Sequence, residues 1–265
     1  MEVTYLFVPG DRPDRFGKAV ASGADRVILD LEDAVRPEAK GAAREAIAGA
    51  PLDWARVVVR INDAASPHWA ADLAWLPRCR AGAIMVPKAE SPDRLRAVTD
   101  AAGRDVELIP QIETARGLHR AAELLAVPGA TRAAFGHLDF ALDLGTATDR
   151  DALASFRSML VLHSRLAGAL PPIDSVTTDL SDAALLEEEA RCALRCGFGA
   201  KLLIHPAQVA PVARAFAPDA EELAWARRVI AAVAEGGAGA VALDGRMIDK
   251  PVEDAARRIL ARAVA

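Results

Sequence analysis

Two acidic residues carry the chemistry that is easiest to read from this chain. In the stretch Val106–Gly145 one apolar run, VELIPQI, ends at Glu113, and a second, TRAAFG, is followed shortly by Asp139. A single amphipathic segment separates them, so the two acids stand one strand–helix–strand unit apart. Parallel neighbouring strands would deliver both to the same end of a sheet. Two converging carboxylates, with no His or Cys at ligand spacing, suit a hard divalent cation that prefers oxygen, such as Mg²⁺. The alternative is that each acid caps the helix that follows it.

The elements that must position this pair emerge from the hydrophobic periodicity. Short β-rich runs fall at Thr4–Pro9, Arg26–Leu31, Val57–Ile61, Ala83–Pro87, Val106–Ile112, Thr131–Gly136, Ile173–Thr177 and Lys201–His205. Between them lie segments with apolar residues at helical spacing, many opening on Pro or Ser and closing on Gly. Strands apolar throughout belong to a parallel sheet buried on both faces. Eight βα repeats predict a (β/α)8 TIM barrel, with an open doubly wound sheet as the alternative. No GxGxxG follows the first strand to support a dinucleotide site. The barrel is expected over residues 1–217. Residues 218–265 form a C-terminal appendage of helices around a hairpin, AVALDGRMI, with Asp244 and Gly245 at its turn.

Barrel chemistry is assembled where strands end and βα loops begin. Those points carry Arg12, Arg15 and Lys18 after strand one; Asp30, Glu32 and Asp33 after strand two; Arg60 and Asn62 after strand three; and Lys88 after strand four. Gln111 and Glu113 follow strand five, His137 and Asp139 strand six, Asp174 and Asp179 strand seven, and His205 and Gln208 strand eight. The opposite strand ends are mostly Ala, Gly and Val. Charges gathered in a barrel mouth are costly unless they pair or bind a ligand. Asp30 or Glu32 could pair with Arg60 or Lys88 across neighbouring strands. His68, His119 and His163 fall in helical patterns and read as structural.

Composition sets outer bounds. The 265 residues are 52% hydrophobic and 26% charged, with a formal net charge of −5. That balance argues against nucleic acid as the main partner. No apolar run is long enough to span a bilayer, and MEVTYLFVPGDRP lacks the basic start of a signal peptide. Cys79, Cys192 and Cys196 form no disulfide framework, and Cys192 and Cys196, one helical turn apart, read as core packing. A cytoplasmic protein is expected.

The motifs PGDRPDRF, DLEDAV, VRIN, VPKAE, QIETARG, FGHLDFALDLG, GFGAKLLIHPAQ and DGRMIDKP occur in this order over almost the whole chain. In that arrangement the chain resembles the citrate lyase beta-subunit-like proteins of the HpcH/HpaI aldolase superfamily, which include malyl-CoA and citramalyl-CoA lyases. The resemblance implies a Mg²⁺-dependent barrel, trimeric or hexameric, that cleaves or forms a C–C bond in a hydroxyacyl-CoA to give a 2-oxo acid and an acyl-CoA. It implies that Glu113 and Asp139 hold the metal, with Glu113 also against the substrate, and that Arg60 grips the acid's carboxylate. Arg15 and Lys18 fall where CoA phosphates bind, Glu32, Asp33, Lys88 and His137 surround the site, and Asp249 of MIDKP moves a proton, closing over its own or a neighbour's barrel. Where many relatives carry Thr-Glu or Ser-Glu before the metal-binding Asp, this chain has His137-Leu138, which bears on substrate identity. Other readings are a CoA-independent 2-oxo-acid aldolase, a malyl-CoA-type thioesterase, or a non-catalytic acyl-CoA-binding or scaffold barrel.

Overall fold

A computed structural model describes residues 2–236, 241–243 and 246–263. Eight parallel strands, β1 (Thr4–Pro9), β2 (Arg26–Asp30), β3 (Val57–Arg60), β4 (Ala83–Val86), β5 (Glu107–Ile112), β6 (Ala134–Phe135), β7 (Ile173–Asp174) and β8 (Ala200–Leu203), close in sequence order into a barrel, β8 pairing with β1. The expected (β/α)8 fold is the one found. Apart from β1, the strands are shorter than their apolar runs, most of all β6 and β7, because pairing stops while the apolar sequence continues into the loops.

The barrel is filled, not hollow. Tyr5, Ile28, Val58, Met85, Ile109, Ile173 and Leu202 meet inside it, with Ala83, Ala134 and Ala200 making room for the larger side chains. Such a plug holds the strand ends in fixed register, which is what a site built from several strands requires. The segment between Glu113 and Asp139 is two short helices, Ala115–His119 and Ala121–Leu125, broken at Arg120.

The chain divides into two compact units, Glu2–Val212 and the residues from Ala213 onward. The second contains the helices Ala220–Gly236 and Lys250–Ala263, packed through Ala226, Val229, Ile248 and Ala256. Its strands β9 (Val241–Leu243) and β10 (Arg246–Ile248) pair antiparallel, as the hairpin reading expects. Asp244 and Gly245, assigned to its turn, lie outside the described residues.

The cysteines depart from expectation. Cys192 and Cys196 lie near and at the end of the helix Ala183–Cys196, their sulfurs 4.0 Å apart, but Cys192 is half-buried and Cys196 exposed. The apolar stripe of that helix falls on Leu186, Ala190 and Ala193 instead.

Candidate active site at the barrel mouth

At the C-terminal ends of the strands a cavity of about 320 Å³ is lined by Asp30, Arg60, Gln111, Glu113, His137 and Asp139, with Phe7, Val176, Leu202 and Ile204 as its apolar wall. Acids read from sequence as one βα unit apart therefore do share one space.

Glu113 follows β5 directly and is 2% exposed. Its Oε2 accepts the Lys88 main-chain N–H at 2.9 Å, and its Oε1 accepts Gln111 Nε2 at 2.7 Å. The side chain lies across Gly136, where a Cβ would sit 2.3 Å from Oε1 and 2.5 Å from Cγ. A glycine is required there by close approach, not by backbone conformation. Asp139 lies in the first turn of the helix His137–Leu144, and among the described residues no hydrogen bond or ion pair is made by its carboxylate. Neither acid is a cap: Thr114 caps the helix after Glu113 through the Gly117 N–H, and Gly136 precedes the helix bearing Asp139.

Cations and further acids surround the pair. Arg60 donates Nε and Nη2 to the two oxygens of Asp30, each at 2.7 Å, and its Nη1 is 3.1 Å from Glu32. Its guanidinium also stacks 4.7 Å from the Phe7 ring centre. Lys88 Nζ donates to Glu32 at 2.9 Å. Asp33 is exposed and stands 3.7 Å from Arg60, at the margin of the cluster. The pairing of Asp30 and Glu32 with Arg60 and Lys88 is thus present.

Burial opposes ionisation of Asp30, but Arg60 outweighs it and holds the carboxyl below its ordinary range. Burial likewise works against the charged Arg60, and Asp30 and Glu32 overcome it, raising its pKa. Glu32 is pushed up to about 7 by burial, against the pull of Arg60 and Lys88. Glu113 is pushed up to about 8, first by burial and then by the Glu32 charge. Setting aside the exposed Asp33, four carboxyls (Asp30, Glu32, Glu113, Asp139) face two cations (Arg60, Lys88), so full ionisation would leave an excess of two negative charges that a further cation would balance.

That excess, and the donor set, fit a hard divalent cation. Gln111 Oε1 is buried without a hydrogen-bond donor, a vacancy that water on a hydrated cation would fill. Among the described residues no three His, Cys, Asp or Glu side chains converge into a ready cage. The arrangement suits an ion held by two carboxylates with its other positions left to water and ligand, the usual habit of Mg²⁺.

Arg15 and Lys18 lie on the helix Pro13–Ala21 and line, with Arg12, Asp14 and His205, a separate groove of about 590 Å³. Phe7 and Ile204 belong to both the groove and the mouth cavity. His205 is exposed, and its Nδ1 accepts the Ala207 N–H, capping the turn Pro206–Gln208. Asp249 belongs to the other unit, where its Oδ1 accepts the Val252 N–H at 3.3 Å, at the start of the helix Lys250–Ala263.

Several residues of the site escaped sequence reasoning. Lys40, buried in the helix Lys40–Gly49, donates to the main-chain oxygens of Leu31 and Glu32 and to Asn62 Oδ1, so it holds the loop that presents Glu32. Asp72 accepts from Asn62 N and Nδ2, each at 2.7 Å, and from Arg44 Nε at 2.6 Å. Ser175 stands just beyond β7 and bonds His137. Its place at a strand end was the available signal, but the acids Asp174 and Asp179 drew attention from it.

The chain thus builds a closed βα barrel with acids gathered at the C-terminal ends of its strands, two of them free of capping duty. The family model described as HpcH/HpaI aldolase/citrate lyase matches residues 4–206, and the chain belongs to that family. It is an enzyme of the carbon–carbon lyase class. A citrate lyase subunit beta-like protein of Mycobacterium tuberculosis is 42% identical over 266 residues, covering 98% of this chain and 94% of that protein. A (3S)-malyl-CoA thioesterase of Cereibacter sphaeroides is 34% identical over 270 residues, covering 99% and 94%. The crystal structure of protein CitE from M. tuberculosis in complex with magnesium, acetoacetate and coenzyme A aligns with a TM-score of 0.89 at 40% identity, covering 99% of this chain and 98% of that one. Among the described residues no helix is long and apolar enough to cross a membrane.

Proposed function

We propose that this chain is a Mg²⁺-dependent lyase that cleaves, or in reverse forms, a 3-hydroxyacyl-CoA thioester, yielding a 2-oxo acid and an acyl-CoA. The observation that carries the reading is that Glu113 and Asp139, neither of them capping a helix, line one cavity at the barrel mouth, Glu113 fixed by two donors and Asp139 with no hydrogen-bonded partner among the described residues. Bound there, Mg²⁺ would act as a Lewis acid toward the hydroxyl and carboxylate of the substrate.

Glu113 and Asp139 are the residues that would hold the ion. Arg60, braced by Asp30 and Phe7, presents a fixed positive field to the acid's carboxylate, with Nη1 the edge it would share with Glu32. The Lys88 ammonium pairs with Glu32 and holds that acid beside Arg60. The apolar side, Phe7, Val176, Leu202 and Ile204, limits water around the reacting carbons. Arg15 and Lys18 offer cations to CoA phosphates along the adjoining groove. Asp249 is assigned the proton transfer at the thioester α-carbon, from its own or a neighbouring subunit.

We place the protein in the cytoplasm as a homo-oligomer, a trimer or hexamer. Assembly is supported by the row of exposed Met159, Leu162 and Leu166 on the helix Arg150–Leu166, apolar surface that a monomer leaves in water. Thioester hydrolysis is a second reading, favoured by the similarity to the malyl-CoA thioesterase. One experiment separates the two: incubate malyl-, citramalyl- and methylmalyl-CoA with and without Mg²⁺ and identify the products. Lyase action gives a 2-oxo acid and an acyl-CoA in equal amounts; free CoA without 2-oxo acid marks the thioesterase. If Asp249→Asn retained full turnover and lost CoA binding alone, the proton-transfer assignment would be wrong.

A further inference from the structure

His137 lines the mouth cavity beside Glu113 and Asp139, and the hydrogen bonds on its ring say which nitrogen carries the proton. Ser175 Oγ accepts the main-chain N–H of His137 at 3.1 Å and is hydrogen-bonded to Nδ1 of the same residue. Ser175 is buried, and among the described residues its hydroxyl proton has no acceptor other than Nδ1, so that proton is the one shared with the ring. Nδ1 then accepts, and the ring proton sits on Nε2.

Ser175 is itself held firmly. It is 4% exposed, and its carbonyl accepts Lys201 Nζ at 2.7 Å. Lys201 is paired with Asp174, which Arg157 also holds at 2.5 Å. At the mouth Arg60 already donates to Asp30 and pairs with Glu32, and Gln111 donates to Glu113. Among the described residues no hydrogen bond reaches His137 Nε2.

We propose that His137 presents a fixed Nε2–H donor to a carbonyl or carboxylate oxygen of the acyl substrate, and that Ser175 is the positioning residue that sets this tautomer. The inference rests on the proposed lyase reading for the identity of the acceptor. The tautomer itself does not depend on it. In a cavity walled by carboxylates a neutral N–H at a defined place selects for an oxygen opposite it, so this pair contributes to which acyl group is accepted.

Nitrogen-15 spectra of the histidine rings, recorded at neutral pH without metal, test the tautomer directly. The wild type should show His137 as a single Nε2–H form. Ser175→Ala should mix the two forms, and Ser175→Thr should restore the first. Pyruvate binding in the presence of Mg²⁺, measured by calorimetry, reads the consequence. It should weaken about tenfold in Ser175→Ala and in His137→Phe, with His137→Gln, which keeps an N–H, recovering part of the loss. Thermal melts of the same samples show whether each variant is folded. An Nδ1–H form in the wild type overturns the proposal, as does unchanged pyruvate affinity in folded Ser175→Ala and His137→Phe. If no thioester is turned over, the lyase reading falls while the spectra still decide the tautomer.

Discussion

Replacing Gly136 by alanine puts a methyl carbon 2.3 Å from Glu113 Oε1, 2.5 Å from its Cγ and 2.8 Å from its Cδ. Moving the tip of the side chain cannot relieve a clash at Cγ, so the whole of Glu113 must swing. The swing breaks the bonds from Lys88 N at 2.9 Å and from Gln111 Nε2 at 2.7 Å. Bonds to a charged group contribute about 1.5–3 kcal/mol each, and overpacking a core costs about 1–3 kcal/mol. Two lost bonds cost about 3–6 kcal/mol and overpacking about 1–3, so the routes meet at about 3 kcal/mol, or on the order of 6–12 °C in Tm for a domain of this size. The decisive effect is on the cation. At a hundred times its Kd, a ligand of the native state stabilises by about 2.7 kcal/mol. Thermal melts with and without Mg²⁺ should therefore show an upward shift for the wild type and none for Gly136→Ala. Gly41→Ala is the control: it lies in the helix Lys40–Gly49, its Cβ would meet nothing within 4 Å, and it should be neutral or stabilising by roughly 0.5–1 kcal/mol. A Gly136→Ala protein that melts and responds to Mg²⁺ like the wild type would refute the assignment of Glu113.

Asp139→Asn should behave in the opposite way without metal, since its carboxylate has no hydrogen-bonded partner to lose. Its melting temperature stays within the effect of about 0.5 kcal/mol typical of neutral substitutions, while the Mg²⁺-induced shift disappears. Lys40→Met removes the donor to Leu31 O, Glu32 O and Asn62 Oδ1 and leaves buried acceptors unsatisfied. The expected cost is about 1–3 kcal/mol, read by urea denaturation, and an unchanged midpoint would count against the clamp. Tyr5 is the single tyrosine, so phenolate absorbance follows it alone. Burial pushes its hydroxyl up to about 12 from its ordinary 10.0, against the neighbouring Arg132. Since the folded pKa lies above the unfolded one, the stability this contributes is complete below pH 10, declines above it and is lost through pH 12. A titration midpoint near 10 in protein that circular dichroism shows still folded would contradict that burial.

The barrel was legible because its strands are short apolar runs at regular spacing, and all eight lie within or overlap the segments read from the sequence. Their lengths were not. Thr131–Gly136 reads as one strand, yet pairing is confined to Ala134–Phe135, because register around a closed barrel is set by neighbours and not by local composition. The strand-end rule located Asp30, Glu32, Arg60, Lys88, Glu113, His137 and Asp139, since charge in such places stands out. It missed what is neutral or comes from elsewhere in the chain. Ser175 acts through one hydroxyl, and Lys40 reaches back from the following helix, where a lysine ordinarily faces water. Gly136 is a site residue for the side chain it lacks, which no periodicity displays. Cys192 and Cys196 sit where a helical wheel could not separate flank from core.

Lys88 joins these observations. Among the described residues it is the sole non-glycine with positive φ, at 45°, a conformation that is costly for a residue with a side chain. The turn it makes after β4 aims its N–H at Glu113 and its ammonium at Glu32, linking β4 to the loops after β5 and β2. Arg60 meanwhile binds β3 to Asp30 and Glu32 of β2 and its loop. Four successive strand ends are therefore tied by charged bonds before any ligand arrives, and the strain at Lys88 is sustained by the two acids it contacts. Asp139 stands outside that web with its carboxylate uncommitted. The division would suit the proposed Mg²⁺ site: Glu113 would be prepositioned by the scaffold, and Asp139 would be free to adjust as water and substrate complete the coordination.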